Sequence, residues 1–179
     1  MSKSWAMMIK KQYLTYLAPL IVLLVFLMDG QLSTLMTNWS PGSISISSHM
    51  VLMVGIFLSF HFPLLYSISI FAVLGFIYDL YYLGILGIAI TLMPLSVYLI
   101  YYFYQNLPFR AVTNQVILLV ILFVFEFAAF LLARLFSLTN LSMFIFVFYD
   151  LMPTLVFNAF LLLLLHPLLK SCFGITNKT

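Results

Sequence analysis

Long apolar runs, separated by short polar segments, fill almost all of this 179-residue sequence. Only 6% of the residues are charged, whereas a soluble domain carries about 25%. Such a chain cannot cover a water-facing surface, so it is predicted to be an all-α integral membrane protein. Residues 1–179 form a single transmembrane domain in this interpretation. The net charge of +3 is too small and too scattered to indicate nucleic-acid binding.

The apolar runs predict six transmembrane helices, at residues 13–36, 49–62, 64–78, 82–104, 112–136 and 141–169. The second and third spans are divided at Pro63, because one helix over residues 50–78 would be about 43 Å long. That length exceeds the hydrocarbon core of about 30 Å, although each half is shorter than a usual span. The uncharged polar segment 37–48 is expected to be a loop that emerges into water.

The basic residues favour a topology with both termini in the cytoplasm. Lys and Arg concentrate in the cytoplasmic segments of membrane proteins. With the N-terminus inside, only Arg134 lies near the outer end of a span, and the other basic residues fall inside: Lys3, Lys10, Lys11, Arg110, Lys170 and Lys178.

The segment 75–87 combines a carboxylate, Asp79, with three glycines, Gly75, Gly84 and Gly87. Asp79 is interpreted in two ways that both stay open: it caps the helix that starts near residue 80, or it is a functional ionisable group beside a span. Gly84 and Gly87, followed by Thr91, predict a stripe of small residues on span four. Such a stripe lets helices approach closely, either inside the protein or against a partner.

All four acidic residues are expected in the outer half of the bilayer, and Arg134 is the one embedded basic residue. Buried charges need partners. The carboxylates must therefore be protonated, face a water-filled outer cavity, or receive donors from a partner. Asp79 and Arg134 are expected to lie close enough to the headgroups to be hydrated. The other acidic residues are Asp29, Glu126 and Asp150.

Glu126 and Asp150 are expected to lie at a similar depth in the membrane. Their spans are joined by the short turn 137–140, so the two helices should be antiparallel neighbours. Two carboxylates at one level would repel each other, and a hydrogen bond from Asn158 or a tyrosine would ease this repulsion. Both side chains are predicted to face the protein interior or a cavity open to the outside.

Other membrane chemistries find weaker support in the sequence. The pairs Tyr78-Asp79 and Tyr149-Asp150 are reminiscent of aspartyl intramembrane proteases, but the Gly-x-Gly-Asp half of that motif does not precede Asp150. The three histidines, His49, His61 and His166, are interpreted as interfacial residues and not as a metal or proton site. A small-molecule cavity between the helices remains an alternative. No catalytic residue, metal or cofactor is expected.

Two motifs carry a resemblance to a known family: Gly75-x3-Asp79 followed by Gly84 and Gly87, and Pro153-x4-Asn158-x8-Pro167 in the last span. With its size, six spans and cytoplasmic termini, the chain resembles MreD, the rod shape-determining membrane proteins of bacteria.

The resemblance implies a non-enzymatic scaffold of the cell-wall elongation machinery in the bacterial plasma membrane. It implies an MreC-like single-span partner, and a glycosyltransferase and a transpeptidase of peptidoglycan synthesis nearby. MreD proteins are also similar in architecture to the substrate-binding subunits of energy-coupling-factor transporters. A vitamin-type small-molecule-binding subunit of a transporter is therefore the alternative function.

Overall fold

The computed structural model describes residues 3–40, 42 and 44–173, and helices are the only regular elements in those residues. Lys178, used in the charge count, and residues 41 and 43 of the predicted loop lie outside them. The helices are α1 Lys3–Trp39, α2 Met50–Leu58, α3 Leu64–Tyr78, α4 Ala89–Tyr104, α5 Ala111–Leu135 and α6 Met143–Cys172.

Four of these helices are long and apolar enough to cross a membrane. They are α1, through its stretch Tyr16–Trp39, α3 with its extension to Tyr82, α5 and α6. These helices lie close to the predicted spans, because a run of about 20 apolar residues is what a helix needs to cross the hydrocarbon core. α4 is shorter, at 16 residues, and α2 has only nine.

The helix predicted over residues 49–62 is shorter in the structure, and the loop predicted over 37–48 begins later. Helix α1 continues to Trp39, residues 44–49 form no regular element, and α2 ends at Leu58. Every residue from Val51 to Leu58 is buried. The apolar character of α2 thus serves burial inside the protein, which hydropathy alone does not separate from exposure to lipid.

Residues 44–58 nevertheless pass from one end of the bundle to the other. The N–H of Ser45 bonds the carbonyl of Tyr149 at the end where α1 finishes. Beyond α2, the ring of Phe60 packs on Tyr104 and Phe109 at the opposite end. Within these residues only α2 is helical.

The predicted start of span four at residue 82 was also wrong. Helix α3 continues into a π-helical turn, Asp79–Leu83, and α4 begins only at Ala89. Between them the backbone turns at Gly84 and Gly87, whose φ angles are 63° and 138°. Residues 84–88 are not helical, so Gly84, Gly87 and Thr91 do not form a helical stripe.

The close helix contact is made by Gly75 instead. Its Cα faces the backbone of Ala89 and Ile90, and a Cβ at this position would collide with the carbonyl group of Ala89. Glycine at residue 75 therefore lets α3 and the start of α4 meet backbone to backbone.

The core of the bundle is centred on α2. The side chains of Met53, Ile56 and Phe57 are fully buried, as are Phe71 of α3 and Ile100 of α4. Large exposed apolar side chains occur along the outer faces of the long helices, as expected for surfaces in contact with lipid.

We expect Gly75→Ala to destabilise the fold by about 1–3 kcal/mol, because the added methyl group meets backbone that cannot move without separating α3 from α4. The measurement is the thermal aggregation midpoint of the detergent-solubilised protein. Gly42→Ala is the matched control, since its Cβ would meet open space. Equal midpoints for the two variants would contradict the proposed contact.

Candidate functional site

The segment 44–49 is bonded on one side to a polar stripe of α1. Asp29, Ser33 and Thr37 are spaced by four residues and share one face of this apolar helix. The Thr37 hydroxyl donates to the carbonyl of Ile46 (3.3 Å) and accepts from its N–H (3.1 Å). The Ser33 hydroxyl accepts from the N–H of Ser48 at 2.8 Å. The side chains of the stripe thus form hydrogen bonds with backbone groups of this segment, as a neighbouring strand would.

Asp29, the first residue of the stripe, lies on α1 and caps the N-terminus of α2. Its Oδ1 accepts from the N–H of Met50 (2.7 Å), and its Oδ2 accepts from the N–H of Val51 (3.0 Å). The Ser48 hydroxyl donates to Oδ1 at 2.5 Å. The first N–H groups of a helix lack intrahelical partners and carry partial positive charge. A carboxylate with 8% exposure is therefore stabilised without an arginine.

Helix α6 bonds the other side of the segment. The N–H of Ser47 donates to the Thr154 hydroxyl (3.1 Å), and the N–H of His49 donates to Oδ1 of Asn158 (2.8 Å). The Asn158 amide returns a hydrogen bond to the carbonyl of Ser47 at 2.7 Å. Asn158 has no exposed surface, so the side-chain amide is used entirely inside the protein.

Pro153 explains one further bond of α6. A proline has no N–H, so the carbonyl four residues earlier, that of Tyr149, lacks its usual helical donor. The helix here is a π-helical turn, Phe146–Leu151, and π-turns often occur at functional positions. The carbonyl of Tyr149 accepts from the N–H of Ser45 at 2.9 Å. Part of the Pro153-Asn158 motif thus serves to hold segment 44–49.

A cavity of about 810 Å³ lies beside this segment. It extends from Asp29 on α1 to the α5–α6 turn at Thr139. Glu126 of α5 and Asp150 of α6 both line its wall, together with His49.

The carboxylates on the wall have partners other than those expected. Oε1 of Glu126 lies 2.5 Å from Nε2 of His49, and the two side chains are 17% and 14% exposed. Asp150 lies close to the side chain of Ser45. The prediction of Asn158 as donor was wrong, because its amide donates to the carbonyls of Ser47 and Thr154. His49, which was interpreted as an interfacial residue, is the partner of Glu126.

Asp79 occupies a separate place in the fold. Its carboxylate accepts from the N–H groups of Gly87 (2.9 Å), Ala89 (2.7 Å) and Ile90 (3.1 Å). It has no exposed surface, so the expected hydration by headgroups was wrong. Asp79 caps α4, which begins nine residues later than the predicted helix at residue 80. Because Asp79 does not line the cavity, it cannot share a proton with Asp150 there.

The remaining predicted residues lie outside this network. Arg134 is exposed near the end of α5, and Gly84 and Gly87 belong to the turn before α4. Three residues of the network, Ser33, Thr37 and Thr154, were not predicted from the sequence. Their signal was the four-residue spacing Asp29-x3-Ser33-x3-Thr37, and likewise Thr154-x3-Asn158, within apolar helices.

We expect Asp29→Asn to lower the stability of the protein, because each hydrogen bond to a buried charged acceptor contributes about 1.5–3 kcal/mol. Asp29→Leu should lower it further by leaving the N–H groups of Met50 and Val51 without an acceptor. The thermal unfolding midpoint in detergent measures both effects.

Ser48→Ala combined with Asp29→Asn provides the matching double-mutant cycle. The two changes should be non-additive, since one weakens and the other removes the same hydrogen bond. Ser69→Ala is the control, because its exposed hydroxyl bonds only within α3, to Leu65. Strict additivity would contradict the direct coupling of Asp29 to Ser48.

Comparison with known proteins assigns the chain to a family. The family model for rod shape-determining protein MreD matches residues 10–173. The cell shape-determining protein MreD of Streptococcus pneumoniae is 29% identical over 133 residues, which cover 74% of this chain and 80% of that protein. No solved structure gives a significant match. The match over nearly the whole chain means that this chain belongs to the MreD family of rod shape-determining proteins.

Proposed function

We propose that this chain is a non-enzymatic scaffold of the peptidoglycan elongation machinery in the bacterial plasma membrane. It binds an MreC-like single-span protein and acts beside a glycosyltransferase and a transpeptidase. Membership of the MreD family gives a role in cell shape. The observation that carries the proposal is the family match over residues 10–173.

The use of the buried polar side chains supports a scaffold. Asp29 and Asp79 each accept three hydrogen bonds, including those of helix N-termini. The amide of Asn158 is fully engaged with segment 44–49 and its own helix. These groups fix the fold, and a reaction would require them to give up bonds that the lipid environment cannot replace.

The proposed topology has six crossings with both termini in the cytoplasm. Asn114 of α5 contacts His166 of α6 at 3.3 Å, so Arg110 and Lys170 lie near the same end of the bundle. A common basic end fits the positive-inside rule. The second of the six crossings would be formed by residues 44–58, which are only partly helical. This arrangement is also compatible with similarity to the substrate-binding subunits of energy-coupling-factor transporters.

Cysteine labelling tests the second crossing. In a Cys172→Ser background, Gly42→Cys should react with an impermeant maleimide from outside, and Phe60→Cys should react only from the cytoplasmic side. Both positions are exposed. Labelling of both cysteines from the same side would contradict a membrane crossing by residues 44–58, and with it the six-crossing topology.

Co-purification tests the scaffold. The full chain, tagged at its C-terminus and extracted in mild detergent, should retain an MreC-like single-span protein. Depletion of the chain from cells should alter cell shape. Val120→Phe is a matched control for the tagged chain, because this side chain lies on the exposed face of α5 and should disturb neither fold nor cavity. Unchanged shape together with absence of an MreC-like protein from the purified material would overturn the proposal.

The alternative function, a vitamin-type binding subunit of a transporter, is favoured by one observation, the cavity of about 810 Å³. Nanomolar binding of a vitamin by the purified chain, together with co-purification of transporter subunits, would replace the scaffold by this alternative.

A further inference from the structure

The cavity has the size and lining of a ligand site. Its volume of about 810 Å³ falls within the usual range for small-molecule pockets, about 300–1,000 Å³. Such pockets combine apolar walls with a few polar groups that orient the ligand. Here the polar groups lie along segment 44–49 and at Glu126 and Asp150, and aromatic side chains of several helices also line the cavity.

The charged side chains that line the cavity indicate which charge a ligand would carry. Three carboxylates, those of Asp29, Glu126 and Asp150, line the cavity, and His49 is the one basic side chain among the described lining residues. The charge of Asp29 is already directed at the N-terminus of α2. Glu126 is paired with His49, so Asp150 adds a negative charge that no described basic side chain of the wall balances, and this charge disfavours an anionic ligand.

Glu126 retains capacity to accept a further hydrogen bond. Its Oε1 is occupied by His49, while its Oε2 receives no hydrogen bond from the described residues. A carboxylate has room for about four donors. Because the side chain is 17% exposed and lines the cavity, this second oxygen is available to a donor inside the cavity.

The aromatic walls suit a positive group with an apolar body. On one side, Phe26 packs edge-on against Tyr78 and Tyr82, with centroids 6.0 and 6.1 Å apart. On the other, Phe130 and Phe146 stack at 4.1 Å. Ring faces attract ammonium groups within about 6 Å of the centroid, and the same surfaces bury apolar chain.

We propose that this cavity binds an organic cation, an amine with an apolar body. Its ammonium group donates to Oε2 of Glu126 and lies near Asp150, and its apolar part contacts the aromatic walls. This proposal goes beyond the scaffold function and is independent of it. It concerns the isolated chain, so failure to bind an amine leaves the partner experiment unaffected.

Three compounds with one skeleton test the charge preference: 4-phenylbutylamine, 4-phenylbutanol and 4-phenylbutyrate. Isothermal titration of the full chain in detergent should give saturable binding of the amine, weaker binding of the alcohol and none of the carboxylate. Protein-free detergent is titrated in parallel to remove partition into micelles. Equal affinity for amine and alcohol, or no saturable binding of the amine, would overturn the proposal.

Two variants locate the bound amine. Glu126→Gln should weaken amine binding about tenfold, the loss expected for one charge-assisted hydrogen bond, with little effect on the alcohol. Ala133→Phe should weaken binding of both, because Ala133 lines the cavity and the ring would occupy part of it.

The matched control is Val120→Phe, which adds a ring to the exposed face of the same helix and should leave amine binding unchanged. If Glu126→Gln does not fold, Ala133→Phe still decides the location. Undiminished amine binding by folded Ala133→Phe protein would place the amine elsewhere and overturn the proposal.

The amine has two possible sources, a free small molecule or the headgroup of an aminophospholipid. Repeating the titration in nanodiscs of phosphatidylglycerol, with and without phosphatidylethanolamine, separates them. A lipid headgroup in the cavity would compete and weaken the apparent affinity for 4-phenylbutylamine, whereas an unchanged affinity would identify a free amine.

Discussion

The backbone N–H and C=O groups of residues 44–51 impose the constraint on which the rest of the structure depends. A helix in a membrane satisfies its own backbone, and an extended segment does not. In this protein the missing partners are supplied by side chains, from Ser33 and Thr37 of α1 and from Thr154 and Asn158 of α6. The polar residues of α1 and α6 are thus explained by their hydrogen bonds to the segment that lies between these two helices.

The same constraint accounts for two of the four carboxylates. α2 and α4 both begin among buried residues, and their first N–H groups need acceptors there. Asp29 serves the first helix and Asp79 the second. A carboxylate also complements the positive end of the helix dipole. The protein thus accommodates buried acids without basic side chains, and the three glycines around Asp79 shape the turn and the close contact that this cap requires.

The long helices could be predicted because their apolar length is set by the membrane. The bounds of α3, α5 and α6 differ from the predicted spans by no more than a few residues. α2 and the start of α4 could not be placed, since hydropathy is the same for residues facing lipid and residues facing protein. The placement of Glu126 and Asp150 in the protein interior followed from the short α5–α6 turn, but their partners did not. His49 reaches Glu126 across 77 residues of sequence, a pairing that no local pattern contains.

The position of segment 44–49 between α1 and α6 also sets an order of assembly. Ser47 and His49 find their acceptors on α6 at sequence separations of 107 and 109 residues. When the first helices leave the ribosome, those acceptors have not been synthesised, and the segment holds only its bonds to α1. Its amides must stay hydrated, or be held by the insertion machinery, until the last helix arrives. Docking of α6 is therefore a late step in the biogenesis of this bundle. It fixes segment 44–49, which follows α1 in the sequence.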